Sequence, residues 1–120
     1  MKHWNKTITV YHKQRVTGEV PQWLSATVGN CFAKVTTNRI RDGQDHVNGK
    51  QFIVRAPAGT VVSNGDIVFI GISKAVLDEN VRGSRSRDFL EQNQGTSFLV
   101  TDVHINTDIL PHVYIGGEGV

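Results

Sequence analysis

Hydrophobic and polar residues alternate with a period of two along much of this chain, which is the pattern of half-buried β-strands. Residues 7–12 alternate in this way and predict a strand near the start. Residues 23–28 predict a second strand that forms a hairpin with the first. After the Gly-Asn dipeptide at 29–30, residues 31–36 predict a third strand.

Four further segments have the composition of strands. Residues 51–55, 66–72, 96–105 and 112–115 are rich in β-branched and aromatic residues and are separated by turn-forming sequences. The segment 66–72 is the most apolar and is expected to be buried on both faces. The last strand is expected to end at a Gly-Gly pair, and residues 116–120 are expected to form a flexible tail.

Two regions between the strands are expected to be long, flexible loops. Residues 38–50 contain few apolar residues and two turn dipeptides, which predicts either a loop or the tip of a long hairpin. Residues 73–95 are also expected to be a loop, with one short helix over residues 87–92. Ser86 precedes that helix and is a candidate for its N-cap.

Together these segments predict a mainly β fold. Six to eight strands with one or two short helices are typical of an antiparallel β-sandwich or a small barrel. The 120 residues suit one domain, and no repeat or low-complexity linker divides them. We therefore expect residues 1–120 to form a single β-rich domain with long loops.

Composition narrows the class of protein further. The chain is 38% hydrophobic and 20% charged, which is ordinary for a folded, water-soluble protein. It has neither an apolar run long enough to cross a bilayer nor the pattern of a secretory signal, so we expect no membrane partner. Cys31 is the only cysteine, which excludes an intrachain disulfide and favours assembly in a reducing cytoplasm.

The net charge of +2 hides a gradient along the chain. Residues 1–60 carry nine Lys or Arg against three acids, a net +6, whereas residues 61–120 carry four against eight, a net −4. If the two halves separate in space, copies of the chain can meet through surfaces of opposite sign. A scattered, solvated charge distribution is an equally good interpretation.

The sequence predicts no catalytic site, no metal site and no cofactor. Metal ligands usually occur at short local spacings, and the five histidines do not: His3, His12, His46, His104 and His112. Cys31 lies within a strand pattern and is expected to be a buried structural thiol rather than a nucleophile. The glycine-rich fingerprints of nucleotide-binding loops are absent from the sequence, so we do not expect an enzyme.

One segment has the composition of a binding site for anions. Arg82, Arg85 and Arg87 are separated by small residues, and guanidinium groups bind phosphates or carboxylates well. We expect these arginines to lie on a flexible loop, where they either contact DNA or a neighbouring subunit or form a solvated surface that binds nothing. Asp88 and Glu91 are close enough in sequence to compete for them.

Four short segments also carry a family resemblance: KHWNKTITVY at 2–11, NCF at 30–32, GDIV at 65–68 and PHVYIGG at 111–117. With them the chain resembles a family of small uncharacterised proteins encoded by tailed phages and prophages of Gram-positive bacteria. The resemblance implies a protein of the structural gene cluster, of the head–tail connector or minor capsid type. It carries no catalytic residues to this sequence.

The resemblance implies a role at the head–tail interface of the virion. A head-closure (stopper) or joining protein would form an oligomeric ring around the DNA channel, between portal or adaptor proteins and tail proteins, with possible non-specific contact with packaged DNA. Two alternatives remain open at this point. One is that the chain is another phage structural protein, such as a tail terminator or a capsid decoration protein, and the other is that it is a small nucleic-acid-binding module.

Overall fold

A computed structural model describes residues 5–14, 22–42, 45–107 and 111–119 of the chain. Its elements are β1 (Lys6–Gln14), β2 (Gln22–Asp42), β3 (Asp45–Pro57), β4 (Ile67–Ile70), α1 (Ser86–Gln92), β5 (Ser97–Asn106) and β6 (His112–Glu118). The six strands close into an antiparallel barrel in the order β1-β2-β3-β6-β5-β4. The predicted mainly β, antiparallel fold is confirmed, and of the two predicted architectures it is the barrel.

The two predicted strands at 23–28 and 31–36 are one continuous strand, β2. Its first half pairs with β1 and its second half with β3. The backbone bends at Asn30, which has a positive φ of 57°. Here the register with β1 shifts, because Lys6 and Ile8 face Cys31 and Val28. A turn dipeptide therefore forms a β-bulge within a strand, where the extra residue lets the strand pass from one neighbour to the other.

The barrel interior holds the main hydrophobic core. Its buried members come from all six strands: Ile8, Val10, Cys31, Phe52, Val54, Ala56, Val68, Phe98, Val100, Val113 and Ile115. Along each strand these residues alternate with outward-facing ones, as the period-two pattern predicts. Each large side chain buried in this way contributes roughly 1.5–3 kcal/mol to stability.

β4 is shorter than predicted. Ile67 and Val68 are buried, as expected for an apolar strand, but the strand ends at Ile70. Ile72 lies beyond it and is 67% exposed, so burial on both faces is wrong for the end of the predicted segment. The cause is the chain's departure from the barrel at Gly71, which has a φ of 130°.

β6 is longer than predicted. It continues through Gly116 and Gly117 to Glu118, and both glycines are buried. The tail expected from residue 116 is therefore wrong for residues 116–118. These residues complete the ladders to β3 and β5, where Glu118 faces Gln51 on one side and Leu99 on the other.

A second, smaller core lies outside the barrel. The segment that connects β4 to β5, residues 71–96, folds back over the outer surface of β1 and β4; we call it the insertion. Leu77, Phe89 and Leu90 of the insertion pack against Tyr11 of β1 and Ile67 of β4. Tyr11 is consequently 1% exposed, although its position in the alternation is outward.

Hydrogen bonds to β1 fix the first part of the insertion. The Tyr11 hydroxyl donates to the carbonyl oxygen of Ala75 at 2.8 Å and lies 2.7 Å from the Ser73 hydroxyl. Thr9 Oγ1 donates to the Gly71 carbonyl at 2.9 Å and accepts from the Ser73 amide at 3.0 Å. A segment expected to be a loose loop is thus tied to the barrel wall.

β2 and β3 extend beyond the barrel as a two-stranded ribbon. The last pair that β3 makes with β6 is Gln51 with Glu118. β2 and β3 continue for six further register pairs, from Thr37 with Lys50 to Asp42 with Asp45. Of the two alternatives predicted for residues 38–50, the long hairpin is the one observed.

Candidate functional site

The three arginines of the predicted anion-binding segment lie in the insertion and are all exposed. Arg82 is in the turn before α1, Arg85 is the N-cap residue of α1, and Arg87 is in its first turn. Arg87 Nε donates to Glu91 Oε1 at 3.2 Å, one helical turn away. An exposed pair of this kind is worth roughly 0.5 kcal/mol or less, so it leaves the guanidinium available to a stronger anionic partner.

The backbone between these arginines is held by hydrogen bonds and is less loose than predicted. The Gly83 amide donates to Asp88 Oδ2 at 2.9 Å, and Gln92 Nε2 donates to the Gly83 carbonyl at 3.3 Å. The Ser84 amide also donates to the Val81 carbonyl at 3.0 Å. Asp88 therefore binds a backbone amide, and of the two predicted competitors it is Glu91 that binds an arginine.

Glu79 anchors the arginine segment to the barrel. Its Oε1 accepts from the indole Nε1 of Trp23 on β2 at 3.0 Å and from the amide of Ser86 at 2.9 Å. Ser86 is thus the first residue of α1 rather than its N-cap, and no side chain of Arg85 caps the helix. Glu79, seven residues upstream, accepts the hydrogen bond from the Ser86 amide in place of an N-cap side chain.

The environment of Glu79 favours its charged form. Burial by itself would raise the pKa of this carboxyl, but the hydrogen bonds from Ser86 and Trp23 and the nearby charge of Lys13 outweigh that effect. The net result is a pKa below the usual range of a glutamate. Lys13 also lies 5.8 Å from the centre of the Trp23 ring, so a cation, an aromatic ring and a carboxylate meet at this anchor.

A second buried carboxylate, Asp66, ties together the chain at the start of β4. Asp66 is 2% exposed and its Oδ2 accepts from the Ser63 amide at 2.9 Å. His12 Nδ1 lies 2.9 Å from the same oxygen, and the Lys13 amide donates to Oδ1 at 3.4 Å. The contacts join β1 to the loop before β4 and give Asp66 a structural role that the sequence did not suggest.

Cys31 is buried in the barrel core, as predicted. Burial raises the pKa of its thiol to about 11, so the nucleophilic thiolate is scarce at neutral pH. The thiol lies 3.6 Å from the Val28 carbonyl and 3.5 Å from the Gly29 carbonyl, to which it donates. These contacts suit a structural residue.

The histidines of the β5–β6 hairpin do not converge on one point. His112 Nε2 lies 3.0 Å from Asn106 Nδ2, whereas the His104 ring packs 5.7 Å from the Tyr114 ring. Among the described residues, no group of three His, Cys, Asp or Glu side chains is placed to hold a metal ion. His3 lies outside the described residues, and the side chain of His46 is not described.

The fold brings together one set of residues that are far apart in sequence. On the outer surface of β2, β3, β6 and β5, Phe32 faces Arg55, Arg55 faces Tyr114, and Tyr114 faces His104. The Arg55 guanidinium lies 5.8 Å from the centre of the Phe32 ring. The sequence shows no local clustering of aromatic and basic residues here, because the strand pairing alone creates the row.

Comparison of the chain with protein-family models, with curated proteins and with solved structures finds no match. No helix among the described residues has the length and apolar character needed to cross a membrane.

Proposed function

We propose that this protein is a structural component of a phage virion at the head–tail interface, either a head-closure protein or a joining protein. In this role copies of the chain assemble into a ring around the DNA channel, between portal or adaptor proteins on one side and tail proteins on the other. The observation that supports it most is the combination of a closed barrel with a projecting ribbon of six register pairs.

The shape of the protein suits a ring component. A closed barrel is a rigid body, and heterologous contacts between identical rigid bodies generate a ring when the rotation closes. The ribbon and the insertion leave the barrel at separate places, between β2 and β3 and between β4 and β5. Each is available to contact a neighbouring copy or an adjacent ring of a different protein.

The chemistry of the described surface is compatible with this role. The arginine segment projects Arg82, Arg85 and Arg87 into solvent from a backbone fixed by Glu79. Repeated around a ring, three cations per copy would create a strong local field for DNA or for acidic residues of a neighbour. The electrostatic contact with DNA would be salt-dependent and independent of base sequence.

Immunogold labelling tests the proposal directly. An antibody raised against this chain is applied to intact virions of the phage that encodes it, and negative-stain images of the purified protein are taken in parallel. Label at the junction of head and tail, together with rings of the purified protein, is the expected result.

The same experiment separates the alternatives. Label spread over the capsid shell identifies a decoration protein, and label along the tail or at its upper end identifies a tail protein. Unlabelled virions, combined with salt-sensitive DNA binding by the monomer, identify a small nucleic-acid-binding module and contradict the proposal.

A further inference from the structure

On the outer surface of β2, β3, β6 and β5, the residues across the strands are self-complementary. When the row is turned end to end and laid over itself, opposite charges face each other. One row across these strands runs Lys34, Ile53, Gly116, Asp102, each facing the next in the strand register. From β2 to β5 the row therefore has a cation, an aliphatic side chain, a position without a side chain, and an anion. Lys34 and Asp102 are both exposed.

In the two neighbouring rows the inner pairs, on β3 and β6, are also complementary when reversed. In one, Arg55 of β3 faces Tyr114 of β6, and in the other Gln51 of β3 faces Glu118 of β6. Arg55, Gln51 and Glu118 are exposed and Tyr114 is half-buried. In each row β3 carries a hydrogen-bond donor or a cation, and β6 carries an aromatic ring or a carboxylate.

We propose that a second copy of this chain packs on this surface through a two-fold axis that runs along the strands between β3 and β6. Such an axis places β3 of one copy over β6 of the other and β2 over β5. Lys34 then faces Asp102 of the second copy, and the same pair occurs twice.

The same axis pairs the remaining rows. Arg55 faces the Tyr114 ring of the second copy, which is a cation–π contact, and Gln51 faces the Glu118 carboxylate, which accepts its hydrogen bond. Two-fold interfaces require this kind of self-complementarity, because each residue pair must serve in both directions.

The surface is also shaped to receive a side chain. A depression of about 140 Å³ lies on it beside Gly116, with Tyr114, Asp102 and Glu118 along its sides. Under the two-fold axis, Ile53 of the second copy lies over Gly116. An aliphatic side chain thus meets the one position of the row that has none.

A second copy explains the charges of this surface better than a nucleic acid does. Phosphate groups bound near Arg55 and Tyr114 would be repelled by Asp102 and Glu118 on the same surface. In the two-fold pair each of these carboxylates has a donor or a cation opposite it. A two-fold pair is closed and adds no further copies through this surface, so the inference is independent of the ring proposed above.

Charge reversal tests the pairing. The full chain and its variants Lys34→Asp and Asp102→Lys are measured by analytical ultracentrifugation over a range of concentrations. At concentrations below those at which rings assemble, the wild type is expected to form a species of twice the 13.3 kDa chain mass. Each single variant places like charges opposite each other, and the dissociation constant is expected to rise at least about tenfold.

An equimolar mixture of the two variants is the decisive sample. In a mixed pair, the aspartate introduced at position 34 of one copy faces the lysine introduced at position 102 of the other. The native Lys34 and Asp102 face each other at the second, symmetry-related contact, so pairing is expected to return to wild-type strength although each variant alone pairs more weakly. This recovery also shows that both variants are folded. Lys74→Asp, which reverses an exposed lysine on the insertion, is the matched control and should pair like the wild type.

Several outcomes overturn the inference. A wild type that stays monomeric at every concentration, single variants that pair like the wild type, or a mixture that remains monomeric would each do so. Single-stranded oligonucleotide binding that Lys34→Asp weakens and Asp102→Lys strengthens would instead identify a nucleic-acid surface. Rings formed in place of pairs would leave the proposed function standing and refute only the two-fold arrangement.

Discussion

Phe52 and Phe98 stack inside the barrel, with ring centres 4.9 Å apart and planes 12° from parallel. They belong to β3 and β5, which are separated by β6. The residue of β6 that faces Phe52 is Gly117. The two rings meet because the strand between them has no side chain at this point, so a glycine sets the packing of the largest apolar pair in the core.

Replacing Gly117 with alanine is expected to destabilise the protein by about 2–3 kcal/mol. A Cβ at this position would overlap the Leu99 carbonyl oxygen and the Phe98 ring, and overpacked cores cost this much because side chains and backbone must shift. Urea unfolding measures the loss. Gly29→Ala is the control, since a Cβ there meets no atom within 4 Å, and an equal loss in both variants would contradict the role of the Phe52–Phe98 stack.

The sequence predicts the strands well because alternation is a local property. Residues 7–12 and 96–105 have the period-two pattern, and both are strands of the barrel. Barrel closure depends on the pairings of β1 with β4 and β3 with β6, which join residues about 60 positions apart. No local pattern specifies those partners, which is why the sequence left a sandwich and a barrel open.

Glycine and asparagine produced the main errors in the strand boundaries. Asn30 and Gly116 are in dipeptides that usually end strands, yet both lie within strands here. Asn30 forms a bulge, and the Gly-Gly pair leaves room for neighbouring side chains. In each case a requirement of tertiary packing overrides the local preference for a turn.

The candidate site was predictable only in part. The exposed positions of Arg82 and Arg87 follow from a polar segment rich in small residues. Their anchor, the contact between Glu79 and Trp23, spans 56 residues and has no sequence motif. The same holds for the self-complementary rows on the outer surface, which exist only once the strand register is fixed.

Cys31 is expected to make stability depend on pH in the alkaline range. Its pKa is raised from 9.0 to about 11 on folding, so the unfolded chain loses the thiol proton first as pH rises. The stabilising contribution is complete below about pH 9 and is lost as the pH rises towards 11. Urea unfolding of the wild type and Cys31→Ala at pH 8 and about pH 10.5 measures this as a difference, which removes the effect of other titrating groups.

The same burial protects the thiol from reagents. At pH 8 a thiol-specific alkylating agent is expected to modify the native protein slowly and the urea-unfolded protein rapidly. Fast modification of the native protein would show that the thiol is accessible. Equal pH dependence of stability in the wild type and Cys31→Ala would show that the raised pKa of the thiol has no effect on stability.

Glu79→Ala is expected to loosen the insertion while leaving the barrel folded. The substitution removes the acceptor shared by the Trp23 indole and the Ser86 amide, a loss of about 1 kcal/mol. Hydrogen exchange should accelerate in residues 73–95, and the fluorescence of Trp23 should change. Glu91→Ala removes an exposed carboxylate that binds only Arg87 among the described contacts and is the control.

The pH dependence distinguishes a charge effect from a simple loss of contact. The pKa of Glu79 is lowered on folding, so its contribution is present above its ordinary value of 4.5 and lost as the pH falls through the lower, folded value. Glu79→Gln keeps an acceptor oxygen and should restore part of the protection at pH 7 without this acid dependence. Wild-type exchange rates in Glu79→Ala would refute the anchor.

Replacing Arg82, Arg85 and Arg87 together with alanine is expected to change assembly and not folding. The three side chains are exposed, and the one ion pair among them is also exposed, so the free energy of unfolding should stay within about 0.5 kcal/mol of the wild type. If the proposed function is right, the purified variant should form fewer rings, or virions that carry it should lose DNA from filled heads. The variant removes three positive charges from each copy, and in a ring this loss occurs in every copy.

Lys74→Ala is the matched control for this variant, because it removes an exposed cation from the same insertion at a distance in sequence from α1. Ring formation is measured on the purified proteins, and DNA retention on virions after a salt challenge, since phosphate contacts weaken as salt rises. A defect in ring formation alone assigns the arginines to subunit contact, whereas a defect in DNA retention with intact rings assigns them to the channel. Full infectivity and normal rings in the triple variant would show that the segment is a solvated surface whose charges bind nothing.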